Sequence, residues 1–162
     1  MPISQDDFRT ALSRFASGVT VVTTKDKDGR LFGLTVSAFC SVSLDPPLVL
    51  ICIEKATGSY HAFLESKDFV VNILSVDQAE ISERFASQIP DKFAATEFTF
   101  NIDGIPVLSG CLANLECRVK QTVDGGDHSI FIAEVDQAAI FDGDPLLYFR
   151  SDYQKIGDRD RP

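Results

Sequence analysis

The eleven residues Leu34–Leu44 carry no charge and alternate in character. Even positions are Leu34, Val36, Ala38, Cys40, Val42 and Leu44; odd ones are Thr35, Ser37, Phe39, Ser41 and Ser43. Successive side chains of a strand point to opposite faces, so the stretch reads as a strand with one apolar face and one row of small hydroxyls around a phenylalanine. A face turned to bulk water normally carries Lys, Glu or Arg. A hydroxyl face without charge therefore meets either other protein or a ligand that hydrogen-bonds but tolerates no fixed charge.

The neighbouring segments follow the same β pattern. VTVVTT, from Val19, and the uncharged stretch flank DKDGR, a hairpin-type turn. LVLICIE, from Leu48, is short, apolar and preceded by Asp45-Pro46-Pro47, as befits a buried strand. FVVNIL, then CLANLECRVKQTV and SIFIAEVDQAAIF joined by DGGD, add a strand and a second hairpin. Helices are few. Ser4 to Gly18 reads as one, with Ser4 as cap, Phe8, Leu12 and Phe15 at helical spacing, and Gly18 as its end. A short helix is expected from Ser59 to Ser66, and Ser75 with Gln78 forms a capping box opening DQAEISERFA. The segment from Gln88 to Gly104 has no clean period and reads as a long loop, a kind often functional. Short antiparallel strands with tight turns imply a mainly β, closed or sandwiched architecture in a single domain spanning residues 1–162.

Charge and composition exclude several classes. A net charge of −9 argues against a nucleic-acid or anionic-membrane partner, because both need a basic surface. MPISQDDF lacks the basic and apolar regions of a signal peptide and no apolar run is long enough to span a membrane, so cytoplasm is the expected location. Cys40, Cys52, Cys111 and Cys117 form no CxxC pair and are not spaced with His61 or His128 like zinc ligands, so reduced, structural thiols and no metal are expected. G-x-G-x-x-G, G-x-x-x-x-G-K-[ST] and G-x-S-x-G are all missing.

An ordered set of motifs does carry meaning. FRTALSRFASGVTVVTT, GLTVSAFCSVSLDPPLVLICI, FVVNIL, ERFA, GIPVL, LANLECRV, GDHSIFIAEV and PLLYF occur in this order from about Phe8 to Tyr153. Together they closely resemble the short-chain flavin reductases of two-component aromatic monooxygenases, such as the reductases of 4-hydroxyphenylacetate or phenol hydroxylases. The resemblance implies a flavin-binding split β-barrel of Greek-key type with a few short helices, usually a homodimer. It implies hydride transfer from NADH or NADPH to FMN or FAD, with reduced flavin passed to a monooxygenase partner. A non-enzymatic flavin carrier and a pyridoxamine-phosphate-oxidase-like enzyme are the alternatives on a similar barrel. The G-D-H element would be idle in a carrier, and the basic cluster that a pyridoxamine phosphate needs is not found around the flavin strand.

The same resemblance assigns residues. Thr35, Ser37 and Ala38 would meet the isoalloxazine edge and ribityl chain, with Phe39 and Ser41 extending that contact. Thr57, Gly58 and Ser59, with Lys55, would receive the flavin phosphate; from the residues alone, Thr57 or Ser59 is equally an N-cap. Arg84 and Phe85 match an element near the flavin, although Arg84 alone reads as a surface helix residue. His128, beside Asp127, would dock the nicotinamide and is the expected catalytic residue; otherwise it is a solvated turn histidine. Tyr148 and Tyr153 are the next candidates for the nicotinamide.

Overall fold

The computed structural model describes residues 2–157. Its elements are α1 (Gln5–Leu12), β1 (Ser17–Gly18), β2 (Thr20–Lys25), β3 (Leu31–Val36), β4 (Phe39–Leu44), β5 (Pro47–Glu54), α2 (Tyr60–Ser66), β6 (Asp68–Ile73), α3 (Ala79–Ala86), β7 (Phe98–Phe100), β8 (Pro106–Leu108), β9 (Ala113–Gly125), β10 (His128–Ile140), β11 (Leu147–Phe149) and β12 (Asp152–Gln154). The fold is mainly β. Seven strands form one antiparallel sheet in the order β3-β2-β6-β9-β10-β5-β4.

The uncharged stretch, expected as one strand, is two, and they form opposite edges of this sheet. Between them the Phe39 N–H donates back to the Ser37 carbonyl at 2.9 Å, a tight three-residue turn. The Cys52 N–H donates to the Ala38 carbonyl at 3.1 Å and ties that turn to β5. The turn shifts the alternation by one position, which exchanges the two faces for everything that follows. Val36 is buried and Phe39 packs into the same interior, whereas Val42 and Leu44 are exposed. The expectation of a continuous apolar face on the even residues is corrected accordingly.

Side chains from all seven strands meet in one cluster, including Leu34 and Val36 of β3 and Phe39 of β4, with Phe63 of α2 at its end. Edge strands that are consecutive in sequence and share one interior require the sheet to curl until its edges approach. No ladder pairs β3 with β4 among the described residues, so strand pairing leaves a seam there. A second cluster, built from Val19, Val21, Leu74, Phe85, Leu108, Cys111 and Leu146, lies beneath α3 on the outer side. Strand β2 separates the two, with Val22 in the first and Val21 in the second. This explains why VTVVTT has no charged residue. Its threonines satisfy themselves on carbonyls, Thr20 on Val36 at 2.6 Å and Thr24 on Asp68 at 2.7 Å.

Three local expectations are also revised. Helix α1 is capped by Ser4, whose hydroxyl accepts the Asp7 N–H, but it stops at Leu12 rather than Gly18. Its last turn tightens into Arg14→Ala11 and Phe15→Leu12 backbone bonds, and the Ser13 carbonyl accepts the Arg150 N–H, so the chain leaves the helix early. The Gln88–Gly104 segment is no uniform loop, because Phe98–Phe100 pairs with Pro106–Leu108. Of the capping box, only the Gln78 side forms: its Oε1 accepts the Ser75 N–H at 3.0 Å, and the helix itself begins at Ala79. Among the described residues, no helix is long and apolar enough to cross a membrane.

Candidate functional site

The sheet's seam opens on a cavity of about 1030 Å³. One wall is β3 with the Ser37–Ala38 turn; a second is the end of β5 and the turn into α2, with Glu54, Thr57 and Ser59. The third is the chain after α3, from Phe85 to Phe93, and His128 stands at the start of β10. Such a volume accommodates a ligand larger than most drug-sized molecules.

The structure brings Thr35, Ser37, Ala38, Thr57, Ser59, Phe85 and His128 to this one cavity, although they come from four separate segments. Thr35 lies on the wall, but its hydroxyl donates to the Ser82 carbonyl of α3 at 2.6 Å, so it faces a ligand only as an acceptor. Ser37 and Ala38 are exposed in the turn between the edge strands, where backbone that belongs to no ladder faces the cavity. Ser59 is buried, lines the cavity and makes no capping bond to α2. Phe85 is fully buried and stacks edge-on against Phe93 at 5.1 Å between ring centres.

His128 is held from three sides. It is the register partner of Glu54 across β5, and the Lys55 N–H donates to the Asp127 carbonyl at 2.9 Å. The next residue, Ser129, shares a hydrogen bond of 2.7 Å with the Tyr60 hydroxyl of α2. The His128 Nδ1 lies 2.7 Å from an Asp127 carboxylate oxygen. That bond to His128 holds the Asp127 carboxyl below its ordinary value. It also restrains the imidazole about its ring bond, leaving Nε2 as the free nitrogen.

The remaining candidates lie off the cavity wall. The Phe39 ring packs into the sheet interior, and Ser41 is on β4 beyond the turn, opposite Val49. The Lys55 ammonium is engaged with Asp124 and donates to the Gly126 carbonyl at 2.6 Å; it braces the turn that carries His128 instead of facing the cavity. Arg84 leaves α3 on its other side, donating to the Ala95 carbonyl at 2.7 Å and to Thr96 at 3.0 Å. Tyr148 and Tyr153 stack on each other at 5.5 Å between centres, and the Tyr153 hydroxyl donates to Ser82 at 2.8 Å. Tyr153 thus meets α3 through Ser82, and neither tyrosine lines the cavity.

Several wall residues escaped sequence reasoning. Cys52 and Glu54 of β5, Gly33's neighbours on β3 and the run of residues 86–93 line the cavity. The signal available for that run was its lack of periodicity. Gly33 itself is needed for close approach: a Cβ there would lie 2.6 Å from Phe85 Cε1. Cys111 and Cys117 are buried, which pushes their thiols up to about 11 and about 12. All four cysteines are free.

An uncharged strand-and-turn wall with hydroxyls, facing a large cleft with a positioned imidazole at its edge, fits the apolar ring and polar rim of a flavin. A curled antiparallel sheet with this cleft at its seam defines a cofactor-binding β protein. The chain belongs to the flavin reductase like domain family, whose model matches residues 12–157. It is 45% identical over 141 residues to the FMN reductase (NADH) SmoA of Agrobacterium fabrum, covering 87% of this chain and 80% of that one. It is 41% identical to the reductase subunit HsaB of a flavin-dependent monooxygenase from Rhodococcus jostii, over 92% of this chain and 76% of that one. Among solved structures it is similar to the Streptomyces globisporus NADH:FAD oxidoreductase SgcE6, in complex with NAD and FAD fragments, with a TM-score of 0.92 at 30% identity and 99% coverage of both chains.

Proposed function

We propose that this chain is an NAD(P)H-dependent flavin reductase: it passes hydride from a nicotinamide nucleotide to FMN or FAD and supplies reduced flavin to a partner monooxygenase. The observation that carries this reading is the meeting, in one cavity, of the Ser37–Ala38 wall with His128. The curled sheet with an open seam is read as the split barrel of the family. When bound there, flavin supplies the hydride-accepting ring nitrogen. The chain's own part is positioning. Ser37 and the turn backbone hold the ring edge without a fixed charge, and His128, oriented by Asp127, holds the nicotinamide amide so that donor and acceptor atoms sit roughly 3–3.5 Å apart. Purified protein is expected to consume NADH or NADPH only when FMN or FAD is added, measured as loss of nicotinamide absorbance. Folded protein that binds flavin yet consumes neither nucleotide would instead be a carrier.

The active form is proposed to be a homodimer. Helix α1 and the turn after it leave Phe8, Leu12 and Phe15 exposed, and β4 exposes Val42 and Leu44, apolar surface that a monomer in water seldom keeps. Two copies covering these faces would form an isologous, substantially apolar interface. Light scattering at micromolar concentration is expected to give twice the chain mass. A monomer that still binds flavin would contradict it.

A further inference from the structure

Strand β9 ends at Gly125 and β10 begins at His128, so Gly126 and Asp127 are the two central residues of the hairpin turn between them. Gly126 has a φ of 79°, and Asp127 is not among the residues with positive φ. Positive φ at the first central position alone marks a type II′ turn; type I′ has it at both. The two types interconvert by a flip of the peptide that joins the central residues. Aspartate tolerates the positive φ that the flip would give it better than most residues do. Such a flip would carry the Asp127 side chain away from the His128 Nδ1, now 2.7 Å from its carboxylate. The rest of the turn is fixed: the Lys55 N–H donates to the Asp127 carbonyl at 2.9 Å, and His128 is in register with Glu54. The peptide left to be held is Gly126–Asp127, and its carbonyl accepts a hydrogen bond from the Lys55 Nζ at 2.6 Å. The same ammonium is engaged with the Asp124 carboxylate, which raises the lysine above its ordinary value and keeps it charged. Lys55 does not line the cavity, although its neighbours Glu54 and Ala56 do.

We propose that Lys55 is a positioning residue for hydride transfer: its ammonium fixes the Gly126–Asp127 peptide in the orientation that keeps Asp127 on His128 and His128 on the nicotinamide. This rests on the flavin-reductase reading above and deepens it, moving Lys55 from the phosphate to the nucleotide side. A charge-assisted bond to one carbonyl favours one orientation of that peptide. Without it, glycine at the first central position leaves both turn types open. An exposed lysine–aspartate pair contributes little to stability. Misplacing the reacting atoms by about 1 Å, in contrast, costs on the order of a hundredfold in rate.

The test is anaerobic rapid mixing of the flavin-loaded protein with NADH or NADPH, run as a double-mutant cycle. Lys55→Met keeps the side-chain stem and the backbone bond to Asp127 but removes the ammonium. It is expected to slow flavin reduction at saturating nucleotide roughly twofold to tenfold, and by no more than His128→Ala does. Lys55→Arg restores a charged donor and most of the rate. On a His128→Ala background Lys55→Met is expected to change nothing further, because the lysine acts only through that histidine. Affinities for FMN and for riboflavin, which lacks the phosphoryl group, should both stay within about twofold of the wild type in fluorescence titrations. A wild-type rate in Lys55→Met would overturn the proposal and leave a surface ion pair. Equal losses with and without His128 would overturn it too. So would weakened FMN binding with riboflavin binding kept, which would return Lys55 to the phosphate. If Lys55→Met does not fold, Lys55→Gln is read in the same cycle. Failure of the wild type to reduce flavin with either nucleotide would remove the flavin-reductase reading itself, an outcome distinct from failure of the Lys55 assignment alone.

Discussion

His128→Ala is expected to leave flavin titration nearly unchanged while slowing flavin reduction by the nicotinamide nucleotide at least about twofold, and up to about a hundredfold. The lower bound is the loss of one hydrogen bond of about 0.5–1.5 kcal/mol. The upper bound is misplacement of the reacting atoms. The fold should not suffer. The side chains of His128 and Asp127 are 42% and 86% exposed, so their pair contributes little to stability. The backbone bonds from Lys55 and the Tyr60–Ser129 pair hold the turn without the imidazole. Rapid-mixing measurement of flavin reduction across nucleotide concentrations distinguishes a binding loss from a positioning loss. Reduction at the wild-type rate throughout would make His128 a turn residue and move attention to Glu54, its register partner on the same cavity.

Gly33→Ala is expected to destabilise the fold and to weaken flavin binding together. The new methyl would lie 2.6 Å and 2.8 Å from two atoms of the Phe85 ring, and 3.4 Å from Phe93. Phe85 is fully buried among Val21, Leu74 and Leu108, so its ring cannot simply swing away. Overpacking of this kind costs about 1–3 kcal/mol, which for a chain of this size lowers the melting temperature by roughly 2–12 °C. The same shift would displace the Gly33 and Phe85 carbonyls that hold Lys92. Thermal unfolding followed by circular dichroism checks the first effect and FMN titration the second. An unchanged melting temperature would mean that α3 is not pressed against β3 as described.

Much of this architecture was readable because its signals are local. Alternation marked the strands, DKDGR and DGGD marked the hairpins, and Ser4 marked the start of α1. The cavity was legible in part, since Ser37, Thr57 and His128 stand in an ordered motif set and do line one cavity. What escaped depends on tertiary direction. A turn at Ser37–Ala38 has no Gly or Pro to announce it; it exists because the chain must pass from one edge of a curled sheet to the other. Lys55 and Arg84 are correctly placed along the chain, yet their long side chains find Asp124 and the Ala95 carbonyl on other surfaces. Lys92 shows the converse. In a loop without periodicity a lysine reads as solvated, and only the packing of Phe93 on Phe85 carries it to the wall.

The central claim is that hydride passes from nicotinamide to flavin within this cavity. Anaerobic stopped-flow mixing of the flavin-loaded protein with NADH or NADPH tests it most directly. The account predicts rapid bleaching of the flavin band at 1:1 stoichiometry with nucleotide oxidised, in a rate that saturates with nucleotide concentration. Flavin that binds tightly but stays oxidised with both nucleotides would contradict it.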